Sequence, residues 1–265
     1  MQENGSPAPR FDFDRSRTYF RVTLPAHPEY VALSALREYA YREALGDVSG
    51  ALHGLEKAHE RLPDSAAIAA TLVRAHGERG ALATARRVAE EFESRGSPGV
   101  ARVWMAYAEA CLARGRLEHA RQIVDTKDLA EGSSLVELAI LEKRLGRLQK
   151  AHRHFERAGE RIRHDVRALH EFAQIKMKLA GQRAARQRPA SRKRILREAR
   201  ELLERVLQMD APPARHAWAW FDLGRVLRWL GEPRSDVVAA FEKAVDLAPE
   251  EARFRDALQD ARKRL

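Results

Sequence analysis

Apolar residues in the last third of the chain recur every three to four positions, and a glycine or proline interrupts each run. Trp220, Leu223 and Gly224 share one helical face with Leu227 and Leu230; Gly231 follows; Val237, Phe241, Ala244 and Val245 then resume the period as far as Pro249. Spacings of i, i+3, i+4 and i+7 predict two amphipathic helices. The glycine between them supplies the positive φ that closes a helix, and the proline stops the second. The same order appears upstream. Trp104, Tyr107, Ala108 and Cys111 precede Gly115, Ala120 and Val124. Leu135, Leu138 and Ala139 precede Gly146, Ala151, Phe155 and Ala158. Leu72 precedes Gly80, Ala85, Ala89 and Phe92, with Pro98 beyond, and Gly46, Ala51, Leu55, Ala58 and Pro63 make the first unit.

The closing glycines Gly46, Gly80, Gly115, Gly146, Gly181 and Gly231 lie 34, 35, 31, 35 and 50 residues apart. In four units an alanine follows its glycine by five residues (Ala51, Ala85, Ala120, Ala151). Small residues at a fixed offset let two helices of a hairpin approach closely. A period of this length predicts stacked helical hairpins, each burying its apolar face against its neighbours.

The Trp220-x2-Leu223-Gly224 sequence, then a glycine, alanines flanking an aromatic, and a proline, resembles the tetratricopeptide repeat (TPR) family. The last unit departs by one extra residue in the Glu232–Asp236 turn and by Leu227 in place of tyrosine. The resemblance runs from roughly residue 32 to 249. It implies an all-α fold: a right-handed α-solenoid of about six antiparallel helix hairpins over residues 31–265, capped by a C-terminal helix at 250–265. Phe254, Ala257, Leu258 and Ala261 would be the cap's apolar face.

The resemblance also implies a concave groove lined by the first helix of each hairpin. Carried over position by position, it nominates Ala67, Ala70, Arg74, Glu78 and Arg79 in the second repeat, and Arg102, Met105, Glu109, Leu112 and Ala113 in the third. The fourth repeat offers Ser133, Val136, Ile140, Lys143 and Arg144, and the sixth offers Trp218, Phe221, Arg225, Arg228 and Trp229. The asparagines with which one TPR subfamily clamps a C-terminal carboxylate are missing, and Glu109 stands where one would serve. The sixth set puts aromatics and arginines on one face, a composition enriched in binding hot spots. The competing role for Trp218 and Trp229 is packing against the cap or the fifth repeat.

The fifth unit breaks the spacing. From Gly181 to the matching Ala199 is eighteen residues, so thirteen are inserted in the hairpin turn. Residues 181–194 hold Arg183, Arg186, Arg188, Arg192, Lys193 and Arg194 and no acid; Arg197 extends the basic patch. Between Glu171 and Glu198 lie nine cations and no acid. An arginine-rich loop could take phosphate, nucleic acid or an acidic protein surface. It has no aromatic for base stacking, so nucleic-acid contacts would be to backbone phosphate and would weaken with salt.

Residues 1–30 read as an extended N-terminal arm. Met1–Arg10 is polar and proline-containing and predicts disorder. Phe11–Asp14 alternates, and Tyr19–Leu24 reads as a strand. A lone strand leaves its backbone bonds unmade, so the arm is expected to lie against the first repeats or to pair outside the chain.

Composition changes this picture little. The net charge of +10 is concentrated: residues 151–200 hold 15 Lys+Arg against 5 Asp+Glu, while the segments before and after are nearly balanced. Of the 48 cations 39 are arginine, which bonds carboxylate and phosphate bidentately. No apolar run approaches the roughly 20 residues that span a bilayer, and no signal sequence is visible, so a cytoplasmic protein without membrane contact is expected. The single Cys111 fits a reducing compartment. Metal, nucleotide and hydrolase motifs are missing, and His152 and His154, two apart on a helix, point to different faces. The expectation is therefore no enzyme, no cofactor and no metal, but an adaptor that binds a peptide or protein partner in its groove. The alternative is a nucleic-acid-binding or defence and regulatory accessory protein acting through residues 181–197.

Overall fold

The computed structural model describes residues 10–13, 20–23, 27–130, 135–182 and 187–263. Two short strands, β1 (Arg10–Phe13) and β2 (Phe20–Thr23), precede thirteen helices among the described residues. These are α1 (Pro28–Ala44), α2 (Val48–Arg61), α3 (Ala66–Glu78), α4 (Leu82–Ser94), α5 (Val100–Ala113), α6 (Leu117–Thr126), α7 (Leu135–Arg144), α8 (Leu148–Ala158), α9 (Val166–Gly181), α10 (Pro189–Gln208), α11 (Pro213–Leu230), α12 (Arg234–Leu247) and α13 (Ala252–Lys263). The strands correct the expectation of an unpaired arm. They pair with each other, antiparallel, with Phe11 opposite Val22 and Phe13 opposite Phe20. The Phe11–Asp14 alternation was the missing partner of the second strand. Met1–Pro9, where disorder is expected, lies outside the described residues.

The glycine turns follow one physical plan. Gly46, Gly80, Gly115, Gly146 and Gly231 have φ between +74° and +82°. In each case the glycine amide donates to the carbonyl three residues back, and the next amide donates to the carbonyl five back: Gly80 to Gly77 and Ala81 to His76, for example, at 3.0 and 2.9 Å. This paired closure satisfies carbonyls that the helix end would leave bare, and only glycine adopts its backbone without strain. In four of these turns the residue after the glycine also begins the next helix. Asp47, Ala81, Arg116 and Arg147 stand at the N-cap, and their carbonyls accept from Ala51, Ala85, Ala120 and Ala151. The five-residue spacing is thus the distance from the end of one helix to the first full turn of the next. Those alanines are at most 1% exposed, because they face the partner helix.

Gly181 departs from the ladder. It is the last residue of α9, its φ is not positive, and Gln182 leaves the helix in an extended conformation. The expected arginine-rich turn over 181–194 is correspondingly shorter. α10 starts at Pro189, so 189–194 are helical. Proline suits the first helical position, where its fixed φ helps and its missing N–H costs nothing. Leu196, Ala199, Leu203 and Val206 are then buried and hold the helix down.

The helices divide into two compact units, α1–α6 and α7–α13. In the first, α3 packs on α1, α4 and α5, and each hairpin partner closes on the next. Gly77 allows the closest approach: a Cβ there would lie 2.4 Å from that of Ala110. In the second, α9 packs on α8, α10 and α11, and α12 on α11 and α13. Gly224 lets the ring of Phe241 lie against α11 backbone, where a Cβ would come within 2.7 Å of it. The last helix buries Phe254 against Ala217 and Ala244.

Candidate partner-binding cleft

Three elements of the second unit, α9, α11 and the start of α13, converge on a cleft of about 460 Å³. Its organising residue is Asp222, only 3% exposed. Gln174 Nε2 donates to Asp222 Oδ2 at 3.0 Å, His170 Nε2 lies 3.2 Å from the same oxygen, and Arg225 Nη1 donates to Oδ1 at 3.1 Å. Burial pushes this carboxyl upward. The bonds from His170 and Gln174 and the nearby charge of Arg225 outweigh that and hold it below the usual aspartate value. An ionised Asp222 therefore ties α9 to α11 and aims Arg225.

Arg225 is held from the other side by rings. Its guanidinium carbon sits 4.9 Å from the centroid of Trp229 and 5.7 Å from that of Phe221. Such stacking favours a planar cation and keeps its fork oriented. Trp218 and Phe221 complete the aromatic wall and are themselves fixed by α13, with Phe254 at 4.8 and 4.9 Å. They pack and line the cleft at once. Met177, Lys178 and Gly181 on α9 and Arg253 on α13 form the rest of the rim. The Lys178 ammonium is pushed below the ordinary lysine value by desolvation and by the charge of Lys143, with Glu171 opposing.

The other nominated groove residues are dispersed. In the first unit Arg74 faces Glu109 at 3.7 Å and Arg102 is exposed, but Met105 is only 5% exposed. The correction for Met105 follows from α5, which is enclosed by α3, α4 and α6, so a position that faces a groove elsewhere faces core here. Lys143 is also corrected. Its Nζ bonds Glu171 Oε2 and Gln174 Oε1, both at 2.5 Å, with the side chain 11% exposed, so it cross-links α7 and α9 instead of facing a partner. Arg144 is exposed on α7. Arg228 does not join Arg225: it turns to α13 and pairs with Asp260 at 2.9 Å.

The basic run is likewise split. Lys176 is buried, 2.6 Å from Glu198 and over the ring of Phe172 at 4.5 Å, and Lys178 goes to the cleft. Arg188, Lys193, Arg194 and Arg197 are exposed around the start of α10 and Arg192 is half-buried; Arg183 and Arg186 lie outside the described residues. Cys111 is fully buried, and burial pushes its thiol upward, away from thiolate chemistry. Among the described residues no group of three His, Cys, Asp or Glu side chains is placed to hold a metal, and no helix is long and apolar enough to cross a membrane.

Sequence reasoning missed Gln174, Met177, Lys178, Asp222 and Arg253. Gln174, Lys178 and Gly181 recur at four and three residues and so share a face of α9. No groove positions are nominated for the fifth unit, whose hairpin spacing is broken and whose Gly181 ends α9 without the positive-φ turn of the other units.

With this geometry the chain can be placed among known structures. No family model matches it, and no curated protein matches it. Among solved structures, YrrB, described as a TPR protein with an unusual peptide-binding site, aligns over 77% of this chain and 97% of its own, with 18% identity and a TM-score of 0.53. The PilF protein of Pseudomonas aeruginosa covers 89% of this chain and 100% of its own at 16% identity and a TM-score of 0.57. The type IV pilus biogenesis factor PilW covers 86% and 98% at 16% identity and 0.58. The fold is that of the tetratricopeptide repeat. At these identities the likeness carries architecture, and the TPR cleft described above stands on its own residues.

Proposed function

We propose that this TPR protein is a non-catalytic interaction adaptor, and that the α9–α11–α13 cleft holds a segment of a protein partner. The observation that carries the reading is Arg225, fixed by a buried carboxylate on one side and two aromatic rings on the other, at the mouth of an open cleft. A side chain immobilised before binding loses little entropy on binding, and Trp–Arg clusters are where interface energy concentrates. A peptide-binding site is ascribed to YrrB in the description of its structure, which supports the same kind of use for a TPR surface. The lone, buried Cys111 supports a reducing, cytoplasmic setting. The basic start of α10 has no aromatic residue between Phe172 and Trp218 to stack a base, which favours the cleft over the nucleic-acid reading.

The test is affinity capture from native lysate with the intact protein and with Trp229→Ala, Arg225→Ala and, as a control on the other unit, Arg102→Ala. A partner retained by the intact protein and the control and lost from both cleft variants supports the reading. Partners indifferent to the cleft variants overturn it.

A further inference from the structure

The cleft has an uneven charge inventory. Lys178, Arg225 and Arg253 reach it from three different helices. Its one acid, Asp222, is buried and already engaged by His170, Gln174 and Arg225. Lys178 is exposed at the rim and makes no hydrogen bond among the described residues, while the neighbouring Lys143 and Glu171 are taken up by each other at 2.5 Å. Only one nitrogen of the Arg225 fork is used by Asp222. An exposed ammonium without a hydrogen-bond partner and a half-used guanidinium both gain from an added carboxylate, and a guanidinium fork matches that group bidentately. Next to these cations the faces of Trp218 and Trp229 offer apolar surface without charge.

We infer that the cleft recognises an acidic peptide segment, in which side-chain carboxylates meet Arg225 and Lys178 and a neighbouring apolar or aromatic side chain lies on the tryptophans. Three cations spread over three helices exceed what a single chain-terminal carboxylate needs, which favours side-chain acids along a segment. This rests on the cleft reading proposed above and names the chemistry of its ligand.

The experiment uses the full chain and fluorescence anisotropy with a labelled peptide of four acidic residues flanking one phenylalanine, blocked at both ends. Two matched probes accompany it: the same peptide with each acid changed to its amide, and a neutral phenylalanine peptide with a free C-terminus. The acidic probe is expected to bind, the amide probe to bind at least about tenfold more weakly, and the terminal-carboxylate probe to bind no better than the amide one. Arg225→Gln and Lys178→Gln are each expected to weaken the acidic probe by about tenfold, while Arg228→Gln, turned toward α13, leaves it unchanged. Circular dichroism melts check that each variant is folded. Equal binding of acidic and amide probes, a preference for the free terminus, no binding of the acidic probe, or indifference to both cleft substitutions overturns the inference. If captured partners still depend on Trp229 while the acidic preference is missing, the cleft reading survives and the ligand chemistry falls alone.

Discussion

The two units use the same hairpins and spend their interiors differently. Among the buried polar residues, the first unit contributes His76 and Ser97, and the second contributes Glu142, His170, Lys176 and Asp222. In the first unit Gly77 presses against Ala110, and the polar ties between helices lie nearer the surface: Arg79–Glu43 joins the end of α3 to α1 and Lys127–Glu93 joins the end of α6 to α4. In the second, α9 is tied to α7 by Lys143–Glu171, to α10 by Lys176–Glu198 and to α11 by His170 and Gln174 on Asp222. Apolar contact tolerates small shifts, whereas a buried ionic bond demands its geometry. The unit that carries the cleft is the one whose charged groups are the more deeply buried, and one of them, Asp222, orients Arg225.

That contrast can be broken by mutation. The largest effect is expected at Asp222. Asp222→Ala leaves His170, Gln174 and Arg225 without their acceptor and should cost about 3 kcal/mol of stability in urea unfolding. Ser97→Ala in the first unit, which removes one bond to Asp64, should cost about 1 kcal/mol. Equal losses would mean that the ionic network is incidental to the second unit.

Next in size is Gly77→Ala. Its Cβ would enter the van der Waals shell of Ala110, so a loss of about 2 kcal/mol is expected, with faster hydrogen exchange of α3 and α5 amides as the local check. The turn glycines give a smaller and opposite-signed pair. Gly80→Ala forces an alanine to φ near +82° and should cost about 1–2 kcal/mol. Gly181→Ala falls in a helix with open space around it and should stabilise by about 0.5–1 kcal/mol in thermal melts. A loss at Gly181 as large as at Gly80 would return it to the ladder.

The mildest prediction concerns acid. Burial lowers the values of His59 and His76 in the first unit and of His152 and His154 in the second. The unfolded chain then binds protons more readily than the folded one once the pH drops below about 6.5, so stability is full above that value and declines as pH falls. Melting temperatures should fall from pH 7.5 to 5.5, and hydrogen exchange should show both units loosening. A change confined to one unit would show that the histidines of the other do not share this behaviour.

Much of the architecture was legible in the sequence because its causes are local. A glycine that must take positive φ, an alanine one turn into the following helix and a proline at a helix boundary act within a few residues, so the five regular turns and their order could be read directly. The paired strands were half-legible: both alternations were visible, but their joining was not. Gly181 ends its helix as the spacing predicts, but whether a helix-ending glycine takes positive φ is not written in the sequence.

The site was less legible because its parts come from far apart. Trp218, Phe221, Arg225 and Trp229 share one helix and could be nominated from their spacing alone. Lys143 and Met105 had equal claims by position, and only their neighbours decided otherwise: a carboxylate 28 residues downstream for the lysine and three enclosing helices for the methionine. The nine-cation run between Glu171 and Glu198 looked like one basic feature, yet tertiary packing sent Lys176 inward, Lys178 to the cleft and Arg188, Arg192, Lys193, Arg194 and Arg197 to the start of α10. The sequence by itself determined where helices begin, end and reverse, since backbone φ and nearest-neighbour hydrogen bonds set those events. Only the tertiary structure decided which charges are spent inside the protein and which remain for a partner. A charge's fate depends on the partner that folding brings beside it, and for Asp222 one such partner, His170, lies 52 residues away along the chain.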